Sequence, residues 1–322
     1  MISNTVLHFD EGILLEESDS HATYKLKLVD GTGTASLYPV FPGIVVAKVD
    51  ISSYQYSPGI VKSRNALEIN HCWAGRVECR MKDGCLQYVG EGDIFLRLLQ
   101  NHCDNIELPL GYYQGLVITI DLDAVPTQWE SILPGMPNNI CQTLERFFLY
   151  DECFMIQSKE QIKHIFSGMY SAPGAARGAY YRLKIMELLL YLYYFDPASE
   201  KQVRIYARQQ VEIVKQIQKH ITEQLSYRFT IEELARKYCI STTALKKHFK
   251  DLYGQSLAAF MKEYRIRKAA VLLCETEQSI ADISVSVGYE SQSKFTVAFK
   301  DILKVTPLEY RKNHRLRKMG SQ

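Results

Sequence analysis

Residues 279 to 311 run SIADISVSVGYESQSKFTVAFKDILKVTPLEYR. Ser279 is followed three positions later by Asp282, the hydroxyl-x-x-acid spacing that starts a helix by satisfying its first free amides. Ile280 and Ile283 give that helix a buried stripe, and after a turn Phe295 and Phe299 anchor a second helix on it. The pattern occurs twice, 49 to 50 residues apart. TIEELARKYCI (Thr230 to Ile240) lines up with SIADISVSVGY, with Thr230 and Glu233 as the hydroxyl and acid. After one extra residue, Glu290, STTALKKHFKDLYGQS matches SQSKFTVAFKDILKVT, with Leu245 and Phe249 as anchors. The last third of the chain therefore reads as two tandem helix-turn-helix units.

The anchors settle which face is free. With Leu245, His248, Phe249 and Leu252 turned inward, the 3.6-residue period leaves Thr242, Thr243, Lys246, Lys247 and Lys250 outward. In the second copy Phe295, Ala298, Phe299 and Ile302 inward leave Gln292, Ser293, Lys294, Val297 and Lys300 outward. Such side chains suit a DNA groove: Lys meets guanine acceptors, Gln pairs with adenine, Ser or Thr bonds several base edges, and Val packs on a thymine methyl. Between the units, Ser256 to Cys274 predicts one helix of about 19 residues, about 28 Å long. A strut of that length spaces two recognition helices for successive major grooves, which lie about 34 Å apart. Arg265, Arg267 and Lys268 on the strut, with Lys250 and Lys300, read as phosphate contacts, and Arg311, Lys312, Arg315, Arg317 and Lys318 as further phosphate contacts or a solvated tail.

Val211 to about Arg311 resembles the DNA-binding domain of the AraC/XylS family of bacterial transcription regulators, most specifically in the stretch quoted first. The resemblance covers about a third of the chain. It implies that Thr243, Lys246 and Lys247 in the first unit, and Gln292, Ser293, Lys294 and Val297 in the second, read bases. It also implies double-stranded DNA and RNA polymerase as partners. Three positions depart from the family pattern. Cys239 replaces a glycine of the first turn, Lys304 replaces a glycine before Val305, and Val297 is apolar where polar or basic residues are frequent.

Charge is divided in keeping with this. Residues 201–322 hold 23 Lys and Arg against 12 Asp and Glu, a net +11, and the remainder 15 against 24, a net −9, which together give the chain's +2. A basic tail on an acidic front points to a polyanion at one end only. The eight cysteines show no CxxC pair and no zinc-finger spacing, which predicts reduced thiols. The first residues lack the basic flank and apolar run of a signal peptide. The most apolar stretch, Met186 to Phe195, is far short of the ~20 residues that span a bilayer. A cytoplasmic protein with no membrane partner is the expectation.

In the front part, short β-rich runs fill about Thr34 to Asp123: Gly43 to Val49, Ala66 to Trp73, Arg76 to Met81, Cys85 to Val89, Ile94 to Leu99 and Gly115 to Ile120. Asp83-Gly84 and Gly90-Glu91-Gly92-Asp93 provide turns. A small antiparallel barrel or sandwich is expected, with Leu67, Ile69, His71 and Trp73 on one strand face and Glu68, Asn70 and Cys72 on the other. Helices are predicted over Asn138 to Tyr150, Lys159 to Tyr170 and Ala179 to Phe195. The last is apolar nearly all round and reads as a dimerisation helix. The organisation is thus an α+β multidomain chain: 1–125 a cupin-like β-barrel, 126–196 a helical dimerisation and connecting segment, 197–208 a linker, and 209–322 the all-α DNA-binding domain. The stretch LEINHCWAGRVECRMKDGCLQYVGEGDIFL resembles the cupin-type sensory barrel found ahead of such domains, in hairpin spacing and a Gly-x-Gly-Asp turn.

Catalytic cupins carry His-x-His metal ligands. No His-x-His occurs here, and His71 and His102 are isolated. No metal, cofactor or catalytic residue is therefore assigned, and the chain is read as a non-enzyme. Tyr54, Tyr56, His71, Trp73 and Phe95 are candidates to line an effector pocket, or simply to fill the barrel. Three readings stay open: a homodimeric regulator responding to a small-molecule effector, a regulator without one, and an enzyme fused to a DNA-binding module.

Overall fold

Alternation along Ala66–Gly75 is the frame of the front half, because that strand is buried on both faces and each face meets a different partner. The structure, a computed structural model, describes residues 7–8, 12–18, 20–28, 31–56, 60–61, 65–80, 86–99, 106–148, 153–200 and 208–319. The chain divides into two compact units, Met1–Tyr206 and Ala207–Gln322.

The strands of the first unit are β1 (Leu7–His8), β2 (Ile13–Glu17), β3 (Ala22–Lys25), β4 (Thr32–Phe41), β5 (Ile44–Ser52), β6 (Gln55–Tyr56), β7 (Ile60–Val61), β8 (Ala66–Gly75), β9 (Val77–Arg80), β10 (Leu86–Val89), β11 (Ile94–Leu98), β12 (Ile106–Glu107), β13 (Tyr113–Asp121) and β14 (Cys153–Ile156). Eight of them form one antiparallel sheet in the order β14, β11, β8, β13, β5, β4, β3, β2. Strands β10, β9, β12 and β6 form a second sheet, and β1 pairs with β7. No ladder joins the two larger sheets among the described residues, although they share a core. That core holds Leu37, Val49, Phe95, Tyr113 and Val117 from the large sheet against Tyr56, Val77, Val89 and Ile106 from the small one. The opposite face of the large sheet presents Ile69, Leu96 and Ile118 to helices α2 (Glu160–Tyr170) and α3 (Arg177–Tyr194), so sheet and helices form one continuous core. Leu188, Leu189 and Leu192 of α3 lie in it. Arg182 donates to the Val40 carbonyl of β4 at 2.8 Å, and Arg146 donates to the carbonyls of Leu192, Tyr193 and Phe195, which satisfies the free end of α3.

Several expectations change here. In place of a helix over Asn138 to Tyr150 there is a 3-10 helix at Gln142–Phe148, preceded by a single turn, α1 (Trp129–Ile132). The run Cys153–Ile156, expected as a break between helices, is a strand on β11, and β2, β3 and the first two residues of β4 precede the region read as β-rich. Four residues are too few to display a period, and only the long-range ladder to β11 identifies β14. Helix α3 is apolar all round because its own sheet and α2 cover most of it, which leaves Tyr180, Leu183 and Tyr194 as its exposed large hydrophobics. The turn at Asp83-Gly84 and the isolated His102 lie outside the described residues.

The second unit is all helical: α4 (Arg208–Glu223), α5 (Ile231–Lys237), α6 (Thr242–Tyr253), α7 (Leu257–Glu275), α8 (Ile280–Ser286), α9 (Gln292–Leu303) and α10 (Pro307–Met319). Thr230 accepts from the Glu233 amide while Glu233 accepts from the Thr230 amide, a complete capping box, and Ser279 caps α8 through the Asp282 amide at 3.1 Å. The turns repeat to the hydrogen bond. Ile240 N–H donates to the Ala235 carbonyl at 3.0 Å, and Tyr289 N–H to the Ser284 carbonyl at 2.9 Å. Both turns need a left-handed residue, which is Cys239 (φ 52°) in the first and Gly288 (φ 84°) in the second. The reading helices end likewise, at Gly254 (φ 74°) and Lys304 (φ 62°). The two glycine positions that this sequence fills with other residues thus keep the conformation that favours glycine.

A left-handed L-residue costs about 1 to 2 kcal/mol, and glycine's extra freedom in the unfolded chain returns roughly 0.5 to 1 of that. Both side chains are exposed, so little packing is lost on removing them. Cys239→Gly and Lys304→Gly should each stabilise the second unit by about 0.5 to 1 kcal/mol in urea denaturation followed by circular dichroism. A destabilised Cys239→Gly chain would mean that the thiol, not the turn, governs that site.

Candidate nucleic-acid interface

The surface in question is built by α6 and α9, each held by its apolar side. Leu245, Phe249 and Leu252 are buried in the first helix-turn-helix, and Phe295, Ala298 and Phe299 in the second, where they pack with Ile266, Leu273, Ile283 and Val287. Phe295 and Phe299 meet edge to face at 5.6 Å. Ser241 and Ser291 cap the two helices by accepting from the Ala244 and Lys294 amides. Each reading helix therefore begins at a defined turn and presents one fixed face.

Thr243, Lys246, Lys247 and Lys250 are exposed on α6, and Gln292, Ser293, Lys294, Val297 and Lys300 on α9. Val297, at 71 % exposed, is an apolar side chain with no packing partner to explain it. Lys294 is tied to Glu290 at 2.8 Å, an exposed i,i+4 pair of the kind that competing charge displaces readily.

The strut α7 runs for 19 residues, as its sequence predicts, but its cations differ in role. Arg265 is not a free phosphate ligand. It is half-buried, and its Nη2 donates to the carbonyls of Leu225 at 2.8 Å and Tyr227 at 3.1 Å in the segment before α5. Burial, with Arg228 nearby, lowers its pKa from the ordinary arginine value. Gly288 completes the lock, since a Cβ there would lie 2.2 Å from the Leu225 carbonyl oxygen and 3.2 Å from the guanidinium. One side chain thus fastens the strut to the approach of the first helix-turn-helix, against the turn of the second helix-turn-helix. A signal for this was present in the sequence: Arg265 is four residues from both Met261 and Ala269, on the stripe that is buried. Arg267 is bonded to Glu263 at 2.8 Å, and Arg311 donates to the Gln278 carbonyl at 2.7 Å. Lys268 is exposed on α7.

The five residues offered as an effector pocket do not converge. His71 stacks on Phe166 of α2 at 3.9 Å, and Trp73 packs on Tyr170, both on the helix side of the large sheet. Burial pushes the His71 imidazole down to about 4, so it is neutral near pH 7. Phe95 and Tyr56 face the other way, into the core between the sheets, while Tyr54 is 44 % exposed. The strand parity is as the alternation indicates. The correction is that the face bearing His71 and Trp73 packs on helices, whereas Glu68, Asn70 and Cys72 line the space between sheets. There Arg97 bonds both oxygens of Glu68 at 3.1 and 2.9 Å, and Tyr113 donates to Asn70 at 2.6 Å. The buried Thr119 hydroxyl on that face has no hydrogen-bond partner. Among the described residues no three His, Cys, Asp or Glu side chains gather as a metal site.

Two capped helix-turn-helix units on one strut define a bipartite DNA-binding module. Residues 234–313 match the family described as a helix-turn-helix domain. The TetD protein of transposon Tn10 from Escherichia coli is 33 % identical over 101 residues, which are 31 % of this chain and 73 % of TetD. An AraC-like transcription regulator of Streptomyces lividans is 38 % identical over 26 % of this chain and 28 % of its own length. Among solved structures, the C-terminal domain of AraT, a response regulator from Geobacillus stearothermophilus, is 33 % identical, covering 31 % of this chain and 84 % of that one at a TM-score of 0.30. The chain belongs to the AraC-type transcription regulators, and its second unit is their DNA-binding domain.

The Arg265 lock has a direct test. Bonds from a charged donor contribute about 1.5 to 3 kcal/mol, so Arg265→Ala should destabilise the second unit by roughly 2 kcal/mol. Arg265→Lys should not restore it, because the shorter lysine side chain holds its ammonium short of the place from which Nη2 reaches both carbonyls. Lys268→Ala, on the same helix and exposed, should change stability by less than about 0.5 kcal/mol. Equal effects of Arg265→Ala and Lys268→Ala would remove the lock.

Proposed function

We propose that this regulator reads DNA with two helices per subunit, responds to a small organic effector through residues 1–125, and pairs as a homodimer through the helices of 126–196. Residues 197–208 serve as the linker, and RNA polymerase is the protein partner at the promoter. The observation that carries the DNA assignment is the twofold recurrence of a capped, anchored helix whose free face holds Lys and Gln. Thr243, Lys246, Lys247, Gln292, Ser293, Lys294 and Val297 are the proposed base readers. Lys250, Lys268 and Lys300 are the phosphate contacts, with Arg267 joining once it leaves Glu263. No helix among the described residues is long and apolar enough to cross a membrane, in keeping with work in the cytoplasm.

The effector reading moves to the face between the sheets. The Glu68 and Arg97 pair, the Asn70 and Tyr113 pair and the unpartnered Thr119 hydroxyl support it, as polar groups in an apolar surround that fix a ligand's orientation. The dimer reading moves within α3. Its apolar residues Leu189 and Leu192 are core, so a partner would meet Tyr180, Leu183 and Tyr194.

Lys246→Ala, Lys247→Ala and Gln292→Ala should each weaken binding to the DNA flanking its own gene by about 1 to 3 kcal/mol, and binding to random DNA by less. Affinity should fall steeply with salt. Fluorescence anisotropy measures both, and an unchanged sequence preference in the triple variant would refute the reading face.

For the effector, a metabolite library should contain a compound that raises the melting temperature of the full chain by mass action but not that of Asn70→Leu. If no compound acts, the regulator without an effector is the better reading.

In sedimentation, Leu183→Glu/Tyr194→Glu should turn a dimer into a folded monomer. A wild-type monomer at micromolar concentration would exclude the dimer.

A further inference from the structure

The second unit holds an open cavity of about 680 Å³ that the DNA assignment does not use as such. It is bounded by the segment before α5, by α6, by the first turns of α7, and by Tyr289 and Ala298 of the second helix-turn-helix. Its volume falls in the range of sites that take small organic ligands, and its lining is mainly apolar, with Phe229, Leu257 and Met261 among its walls. Tyr227 adds a second ring, 4.6 Å from Phe229. The cations at its rim are not equivalent. Lys262 is held by Asp301 at 2.6 Å, and Arg228 lies 4.0 Å from Glu290. Lys246 and Lys250, one turn apart on α6, have no ion-pair partner among the described residues.

We propose that this cavity is a binding site for a compact organic anion with a flat apolar body, such as an aromatic carboxylate. The ring would lie against Phe229, Leu257 and Met261, and the carboxylate between the Lys246 and Lys250 ammoniums. Both ammoniums are exposed, so a neutral ligand gains nothing from them, whereas a carboxylate accepts charge-assisted bonds from both. Occupancy also engages Lys246, so the ligand and DNA compete. The competition rests on the proposed base-reading role of Lys246, and the binding does not.

The test uses the full chain with 2-naphthoate as probe and 2-naphthamide as its neutral counterpart, followed by isothermal titration calorimetry. Ala258→Phe places a ring in the cavity from an exposed position outside the reading face. Wild type should bind 2-naphthoate at least tenfold more tightly than 2-naphthamide. Ala258→Phe and Lys246→Ala/Lys250→Ala should each lose at least tenfold in 2-naphthoate affinity. 2-Naphthoate should release DNA from the wild type but not from Ala258→Phe, which should bind DNA as the wild type does. Undiminished naphthoate binding by Ala258→Phe, or equal affinity for the amide, overturns the site. Loss of DNA binding by a normally folded Ala258→Phe chain also overturns it, because the cavity would then belong to the DNA surface. If naphthoate binds in the cavity and DNA stays bound, the site stands and the reading role of Lys246 fails.

Discussion

A single guanidinium nitrogen, Nη2 of Arg265 in the middle of α7, donates to two backbone carbonyls and ties the strut to the segment before α5. Without Arg265, the Leu225 and Tyr227 carbonyls would need other donors, and α7 would lose both of these bonds to the approach of α5. Apolar contact is tolerant of small slides; two bonds from a planar donor are not. A bipartite reader needs that intolerance, because the spacing of its helices must match the repeat of the duplex. The lock also explains why Gly288 has no side chain, since the space is taken by the carbonyl and the guanidinium.

What could be read in the sequence, and what could not, follows the range of the forces involved. Caps and anchors act within one or two helical turns, so Thr230 with Glu233, Ser279 with Asp282, and the Phe295 and Phe299 pair declare themselves in a short string of residues. The alternation of β8 is equally local, and its parity is as written. Which of the two faces meets helices and which meets the second sheet depends on strands and helices far away in the chain. That is why the sequence groups His71 and Trp73 with Phe95 and Tyr56, although a sheet separates the two pairs. Strand β14 is the extreme case, since nothing within Cys153–Ile156 distinguishes a strand from a break; its ladder to β11 does.

Helix α3 shows how one composition allows two meanings. Apolar residues all round a helix say only that most of its surface is covered, and the cover is supplied chiefly from within by the large sheet and α2. What remains for a partner is the narrower strip at Tyr180, Leu183 and Tyr194. A change at Leu189 or Leu192 would therefore speak about folding, and a change on the strip about association.

The two left-handed positions filled by side-chain-bearing residues fall at opposite ends of the reading helices. Cys239 precedes α6, whereas Lys304 follows α9, and glycine occupies the matching place in the other copy. The two helix-turn-helix units are thus alike in fold but weakened at different points: the first where the chain enters its reading helix, the second where it leaves. The backbone cost of a side chain at positive φ thus falls on the turn before α6 in one copy and on the exit from α9 in the other, so two copies of one motif are asymmetric in where they carry strain.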